Sequence, residues 1–281
     1  MIKEDYVLNN GVKIPKLGLG TWQMSETEAE EATLNALKLG YRQIDTAAVY
    51  GNEAGVGRGI KRSGIKREEI FITTKIKAEI KTAEGAAEAI ETSLRLLDTD
   101  YIDLMLIHAP MPWDEICYRK PRPAHRYEKE NVAVWKVMEK YLESGKLRAI
   151  GVSNFEIHDI LNIIENTSVK PAVNQVRCYI GHTPRKAINF AKEQGIIIQA
   201  YSPNATGRLL SDETVNRLAK KYGVTVPQLA IKYDLQLGTQ PLPKTTNVLH
   251  MEENCKLNFD ISQDDMQLLE SLGIVELVRE K

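Results

Sequence analysis

IFITTK (70–75), DLMLIH (103–108) and YRQID (41–45) decide the fold of this chain. Each is a short, nearly continuous apolar run that ends on a polar, reactive side chain. A run of that kind predicts a buried parallel strand with both faces covered. LGLG (17–20), AIGVS (149–153), AVNQ (172–175), IIIQAY (196–201) and QPLPK (240–244) read the same way. Helical patterns lie between them at 26–39, 86–97, 132–144, 157–165, 185–194, 212–222 and 226–237, and 263–272 follows the last strand. In 86–97 the apolar residues at 90, 94 and 97 share one helical face. Pro227 suits the first turn of its helix. Eight strands alternating with helices predict an α/β protein with a (β/α)₈ barrel, not a doubly wound sheet. Ahead of the barrel, YVLNNGVKI sets Asn10-Gly11 between two β-prone runs, which predicts a hairpin.

No repeat, low-complexity tract or Pro/Gly linker divides the 281 residues, so one barrel domain spanning 1–281 is expected. The 43% apolar and 27% charged content is that of a soluble globule. A net charge of −1 argues against nucleic acid or an anionic membrane as partner. MIKEDYVLNN lacks the apolar core of a signal peptide, and no run approaches a membrane span. Cys117, Cys178 and Cys255 are far apart and odd in number, so they read as reduced thiols of a cytoplasmic protein. A monomer is expected. The five histidines show no HxH or HExxH spacing, so no metal site is expected. There is no GxSxG elbow and no Walker A loop.

The strand ends carry the chemistry. Asp45 closes 41–45, Tyr50 follows five residues later in DTAAVYGNE, Lys75 closes 70–75 and His108 closes 103–108. The C-terminal lip of the strands is the active-site end of a β/α barrel. A phenol, with its pKa near about 10, is a weak acid at neutral pH. A nearby ammonium favours phenolate and lowers that value. Lys75 is placed to supply the charge, Asp45 to keep Lys75 protonated and aimed, and His108 to donate a hydrogen bond to a carbonyl oxygen. Together they would protonate an oxygen while hydride arrives at the attached carbon.

Taken singly, each residue has a duller reading. Asp45 would be a helix cap or structural ion pair, Tyr50 packing, Lys75 a solvated lysine and His108 a satisfied buried histidine. Their shared position at successive strand ends argues otherwise. Trp22, just after the first barrel strand, reads as a pocket wall. Trp113 reads equally as pocket or loop packing. It lies in PMPWDEICYRKPRPAHRYEKE (110–130), a long irregular loop over the same face. GVGRG (55–59) lacks GxGxxG spacing and reads as a helix with permissive glycines. KRSGIKRE (61–68) reads as a solvated helix end.

In order along the chain, GLGTW, DTAAVYGNE, TTK, LIHAP, GVSNF, NQV, AYSP and LPKTTNVLHMEEN resemble the aldo-keto reductases, over about residues 6–260. That resemblance implies a (β/α)₈ barrel using NADPH, with NADH possible, on a small-molecule carbonyl. It implies the catalytic tetrad Asp45, Tyr50, Lys75 and His108, with Asp45 also beside the cofactor. It further implies that Ser153, Asn154 and Gln175 hold the nicotinamide carboxamide and that Tyr201 stacks on its ring. Ser202 and Asn204 belong to the segment near the pyrophosphate. Lys244, Thr245 and Thr246 would hold the 2′-phosphate, with Glu253 and Asn254 at the adenine. Gly20 and Thr21 complete the cofactor face, and Trp22, Tyr50, His108, Ala109 and Trp113 the substrate pocket. A lysine beside hydroxyl donors is a sensible phosphate site on charge alone.

Two positions depart from the family pattern. Ala109 stands where an aromatic often follows the histidine, which leaves room for a bulkier substrate unless Trp113 fills it. His250 stands where an arginine often meets the 2′-phosphate; an imidazole is the poorer partner. The short tail resembles bacterial members and implies an open site for small aldehydes, α-dicarbonyls and keto sugars. Two other classes compete. One is a non-catalytic, cofactor-binding redox sensor of the same fold. The other is a barrel isomerase or lyase, for which GVSNF, NQV and LPKTT would have no purpose.

Overall fold

The computed structural model describes residues 4–116 and 126–273. A hairpin of β1 (Asp5–Val7) and β2 (Lys13–Pro15) comes first, turned at Gly11 with φ of 85°. Eight parallel strands follow: β3 (Leu19–Gly20), β4 (Gln43–Asp45), β5 (Phe71–Ile76), β6 (Ile102–Ile107), β7 (Leu147–Ser153), β8 (Val173–Arg177), β9 (Ile197–Tyr201) and β10 (Gln240–Leu242). They pair in chain order from β3 to β10, as a barrel requires. The expected α/β barrel with its N-terminal hairpin is the observed fold.

Closure is made by a single parallel bridge, Gly20 to Lys244. Pro241 and Pro243 explain why the seam is thin. Neither has an N–H, so each contributes only its carbonyl, accepting from Gly18 N at 3.3 Å and Gly20 N at 3.0 Å. The seam is also tight. A Cβ on Gly18 would lie 2.7 Å from Leu242 Cδ2.

Helices cover the outside: α1 (Glu26–Lys38), α2 (Glu53–Ser63), α3 (Ala83–Leu97), α4 (Glu128–Glu143), α5 (Ile157–Asn166), α6 (Arg185–Gln194), α7 (Glu213–Tyr222) and α8 (Val226–Gln236). After β10 come α9 (Val248–Glu253) and α10 (Gln263–Ser271). Reciprocal capping boxes start α1 at Ser25 and α8 at Thr225. The differences from the sequence reading are local. The helix expected from 132 begins at Glu128, because the Glu-Lys-Glu turn before the apolar stripe is its first turn. α9 is a six-residue element, too short to show a period. Cys117, His125 and the middle of the 110–130 loop lie outside the described residues.

Strand alternation divides the core. Met105 and Ile107 face the helices, whereas Leu104 and Leu106 face the barrel interior with Leu8 and Ile14 of the hairpin. The hairpin therefore closes the N-terminal end of the barrel. Asn9 and Asn10 fasten it there, donating to Pro171 O and Arg148 O at 2.9 Å each. That leaves the opposite, C-terminal end as the open mouth.

The glycines of 55–59 have a sharper role than permissiveness. They are helical, as expected, but they are where neighbouring helices touch α2. A Cβ on Gly55 would lie 2.0 Å from Glu26 O, and one on Gly57 2.6 Å from Leu97 O. Gly55→Ala therefore forces α1 away from α2. The expected cost is about 1–3 kcal/mol, the usual range for overpacking. Urea denaturation should show a lower midpoint with an unchanged slope. An unchanged midpoint would mean that the two helices separate freely.

Candidate active site

The four candidate catalytic residues meet at the mouth. Lys75 pairs in register with Leu106, and His108 stands one interior step beyond Leu106. Lys75 is 0% exposed. Its Nζ donates to Asp45 Oδ2 at 2.8 Å and to Thr46 O at 2.7 Å. Tyr50 sits in a 3₁₀ turn, Ala48–Tyr50, closed by Tyr50 N donating to Ala47 O at 2.9 Å. Its ring lies 5.3 Å from Lys75 Nζ and edge-on to His108 at 5.8 Å between centroids.

Burial governs the electrostatics. It pushes the Tyr50 phenol well above its ordinary value, and the charges of Asp45 and Tyr201 push the same way. This differs from the expectation that Lys75 lowers the phenol: the ammonium is neutralised by Asp45, and desolvation wins. Burial likewise pushes Lys75 down, opposed by the charge and hydrogen bond of Asp45 and by the charge of Glu53. His108 is held well below the usual imidazole range by burial and then by Lys75. It is therefore neutral at physiological pH. Its buried Nδ1 has no hydrogen-bond partner among the described residues. At the mouth the chain thus presents a protonated phenol and a neutral imidazole, with an ion pair beneath them.

The residues expected at the nicotinamide adjoin this cluster. Ser153 Oγ donates to Gln175 O at 2.9 Å. Asn154, with φ of 59°, donates from Nδ2 to His108 O at 3.1 Å and to Ser153 Oγ at 3.0 Å. Tyr201 donates from its hydroxyl to Asn154 Oδ1 at 2.8 Å. Gln175 Nε2 donates to Asp45 Oδ1 at 2.7 Å. Past Tyr201 the backbone is left-handed at Ser202, Ala205, Thr206 and Gly207. Non-glycine residues in that region mark a shaped loop. Asn204 Oδ1 is buried there without a partner among the described residues.

The expected phosphate and adenine residues lie beyond the seam, on the same end of the barrel. Lys244 is bridged to Gly20, and Thr21 Oγ1 donates to Asp45 O at 3.1 Å. Lys244, Thr246 and His250 are exposed, Thr245 and Glu253 half-buried, and Asn254 buried. Trp22 is 46% exposed at the rim. Trp113 stands edge-on to His108 at 5.2 Å. Ala109 is fully buried, so the aromatic surface beside His108 comes from Trp113.

Some supports were not singled out in the sequence. Asn52 is fully buried and ties the loops after β3 and β4. Its Nδ2 donates to Thr21 O and Met24 O at 3.0 Å each, and its Oδ1 accepts from Thr46 Oγ1 at 2.8 Å. Lys81 donates to Ala109 O at 3.0 Å and Asn131 Oδ1 at 2.8 Å, while Asn131 Nδ2 donates to Pro110 O at 2.8 Å. That clamp fixes the segment leading to Trp113, and burial pushes Lys81 down to about 8. Asn52 was visible within DTAAVYGNE. Lys81 had no local signal, because its partner Asn131 is fifty residues away.

Comparison with known proteins agrees with this fold. The sequence model of the Aldo/keto reductase family matches residues 16–274. A glyoxal reductase of Bacillus subtilis is 39% identical over 279 residues, covering 99% of this chain and 95% of that protein. An aldehyde reductase of Saccharomyces cerevisiae is 37% identical, covering 95% of this chain and 90% of its own length. Among solved structures, an aldo/keto reductase from Brucella melitensis superposes with a TM-score of 0.86 at 35% identity, over 95% of this chain and 98% of that one. A Bombyx mori aldo-keto reductase in complex with NADP gives 0.85 at 31% identity, over 96% and 92%. With barrel, mouth and match all in place, the chain belongs to the aldo/keto reductase family, the nicotinamide-dependent, carbonyl-reducing oxidoreductases.

Proposed function

We propose that this protein reduces the carbonyl group of small aldehydes and ketones with NADPH, and that Tyr50 is the general acid. The observation that carries this reading is the packing of Tyr50, His108 and the Lys75–Asp45 pair at one barrel mouth. The residues present fit a nicotinamide cofactor. Asn204 Oδ1 is buried without a partner among the described residues, and Lys244 with Thr245 and Thr246 offers charge and hydroxyls to a phosphate. Ser153, Asn154 and Gln175 would hold the carboxamide and Tyr201 the ring. When bound, the cofactor supplies hydride to the carbonyl carbon.

The chain's own part is proton management. His108, neutral, donates its N–H to the carbonyl oxygen and fixes it beside Tyr50. As the oxygen gains negative charge it becomes far more basic than a phenolate, and Tyr50 gives it a proton. The Lys75 ammonium below the ring stabilises the phenolate left behind, and Asp45 holds that ammonium in place. Trp113 beside His108 and Trp22 at the rim wall off the substrate. Glyoxal reduction, the activity in the name of one relative above, supports a small substrate. Buried, free Cys178 and Cys255 fit a reducing cytoplasm. We read the chain as one barrel domain, 1–281, acting as a monomer.

The test is a panel of aldehydes, ketones and α-dicarbonyls with NADPH and NADH, followed at the nicotinamide absorbance. No turnover with any member, despite cofactor binding, would favour a sensor. A second measurement concerns selectivity. Trp113→Ala should raise kcat/KM for a bulky ketone relative to a small aldehyde by about tenfold, the usual scale for a change in one apolar wall. An unchanged ratio would remove Trp113 from the pocket.

A further inference from the structure

Four glutamines line the barrel interior: Gln43 on β4, Gln175 on β8, Gln199 on β9 and Gln240 on β10, all buried. They are joined head to tail. Gln240 Nε2 donates to Pro15 O and to Gln43 Oε1. Gln199 Nε2 donates to Gln240 Oε1 at 2.7 Å. Gln175 Nε2 donates to Gln199 Oε1 at 2.9 Å and to Asp45 Oδ1 at 2.7 Å. The chain runs from the hairpin at the barrel floor to the carboxylate under the mouth.

Its polarity is fixed at both ends. The Pro15 carbonyl can only accept, so Gln240 must turn its NH₂ towards it and its oxygen away. Gln199 must then donate to Gln240 and accept from Gln175. Gln175 is left with one hydrogen on Gln199 and one on Asp45. Flipping any single amide would set oxygen against oxygen or nitrogen against nitrogen and bury unsatisfied groups. The Asp45 carboxylate can only accept as well, so the floor carbonyl and the carboxylate demand the same direction, and the chain holds the Gln175 NH₂ against Asp45.

We propose that Gln199 and Gln240 are positioning residues for the catalytic cluster: they lock Gln175 as an N–H donor to Asp45 and so fix the carboxylate that holds Lys75. The inference rests on the reading of Asp45, Tyr50, Lys75 and His108 as the catalytic residues. With the chain intact, Asp45 is gripped at both oxygens, Oδ1 by Gln175 and Oδ2 by Lys75. Without the Gln199 oxygen, the Gln175 NH₂ loses one of its two anchors, and the amide can rotate away from Asp45. The carboxylate then swings, and Lys75 loses part of the charge that offsets its burial. Its ammonium becomes the less stable form, so it releases its proton at lower pH. The other titratable groups facing the pair are Tyr50 from its turn, His108 from β6, Glu53 from α2 and Tyr201 from β9. Substitution at 199 alters none of them. The phenolate left by proton transfer relies on the Lys75 ammonium 5.3 Å from the ring, so earlier loss of that proton lowers the reduction rate at alkaline pH.

The experiment compares the parent with Gln199→Leu, Gln199→Met, Gln240→Met and the packing control Leu104→Ala. Two quantities are read: the pH dependence of kcat for reduction of a small aldehyde, and the titration of the Lys75 ε-amine by ¹⁵N NMR in cofactor-free protein. In both Gln199 variants the alkaline limb and the Lys75 midpoint should move to lower pH by about half a unit or more. The kcat value should fall several-fold with little change in the aldehyde KM. Gln240→Met, one link further away, should shift both in the same direction by less. Leu104→Ala should lose stability and leave both midpoints in place. Unmoved midpoints in the folded Gln199 variants, or an equal shift in Leu104→Ala, overturn the proposal. Gln199→Met, the closer match in shape, carries the measurement if Gln199→Leu does not fold. A parent that reduces no carbonyl would defeat the functional reading, while the Lys75 titration still decides the positioning claim.

Discussion

Tyr50→Phe should bind cofactor as the parent does and lose about 10²–10⁴-fold in reduction rate, the usual worth of a general acid. The ring stays in its turn and keeps its edge contact with His108, while the transferable proton is gone. His108 is a poor substitute, because burial and Lys75 keep it neutral and so a weak acid. The direction of the Tyr50 shift adds a second signature. A phenol raised above its ordinary value is fully protonated across neutral pH. Reduction needs that form, so its rate should hold level through neutrality and fall only in alkali. Oxidation of the alcohol needs the phenolate, so its rate should rise with pH over the same range. Stopped-flow loss of the nicotinamide absorbance measures the first, and its gain the second. Near-parental reduction by Tyr50→Phe would falsify the assignment.

Lys244→Ala should weaken NADPH by roughly 10- to 100-fold and leave NADH nearly unchanged. A hydrogen bond to a charged group contributes about 1.5–3 kcal/mol, and only NADPH has the 2′-phosphate to receive it. Lys244 is exposed beyond the Gly20 seam, whereas Lys75 and Asp45 are buried beneath the mouth. Turnover at saturating NADH should therefore be unchanged. His250→Arg should act the other way and strengthen NADPH preference, since a guanidinium is always charged and grips phosphate in two places. Fluorescence titration of both cofactors with the three proteins gives the values. Equal losses for the two cofactors in Lys244→Ala would place the phosphate elsewhere.

Much of this protein was legible in one dimension, for a physical reason. Strands buried on both faces must be apolar along their length, so DLMLIH and IFITTK announced themselves and their reactive ends together. The order of the strands then followed from alternation, because parallel neighbours need a crossover between them. Asp45, Lys75 and His108 were readable because each sits at the end of such a run, and Tyr50 because it follows Asp45 by five residues. Cofactor contacts were not derivable from periodicity. They came from resemblance, since Ser153, Asn154 and Lys244 have no local pattern that marks a ligand.

The tertiary structure decided what depends on distance through space. GVGRG read as a tolerant helix, yet Gly55 and Gly57 are small because Glu26 O and Leu97 O lie against them. Pro241 and Pro243 looked like an ordinary strand end, and only closure onto Gly18 and Gly20 shows why they leave a thin seam. The sign of the Tyr50 shift was also beyond the sequence. Residue types predicted a phenol lowered by a lysine, but desolvation outweighs a charge that Asp45 already neutralises. The glutamine chain is the clearest case. Gln43, Gln175, Gln199 and Gln240 stand on four strands, and each looks like a polar residue in an apolar run. Only when the barrel closes do their amides meet, with the carbonyl of Pro15 and the carboxylate of Asp45 setting their direction. Sequence by itself determined which side chains reach the mouth, because burial and strand period act locally. Their protonation and orientation belong to the folded barrel, because those depend on partners that are far apart in the chain and adjacent only in three dimensions.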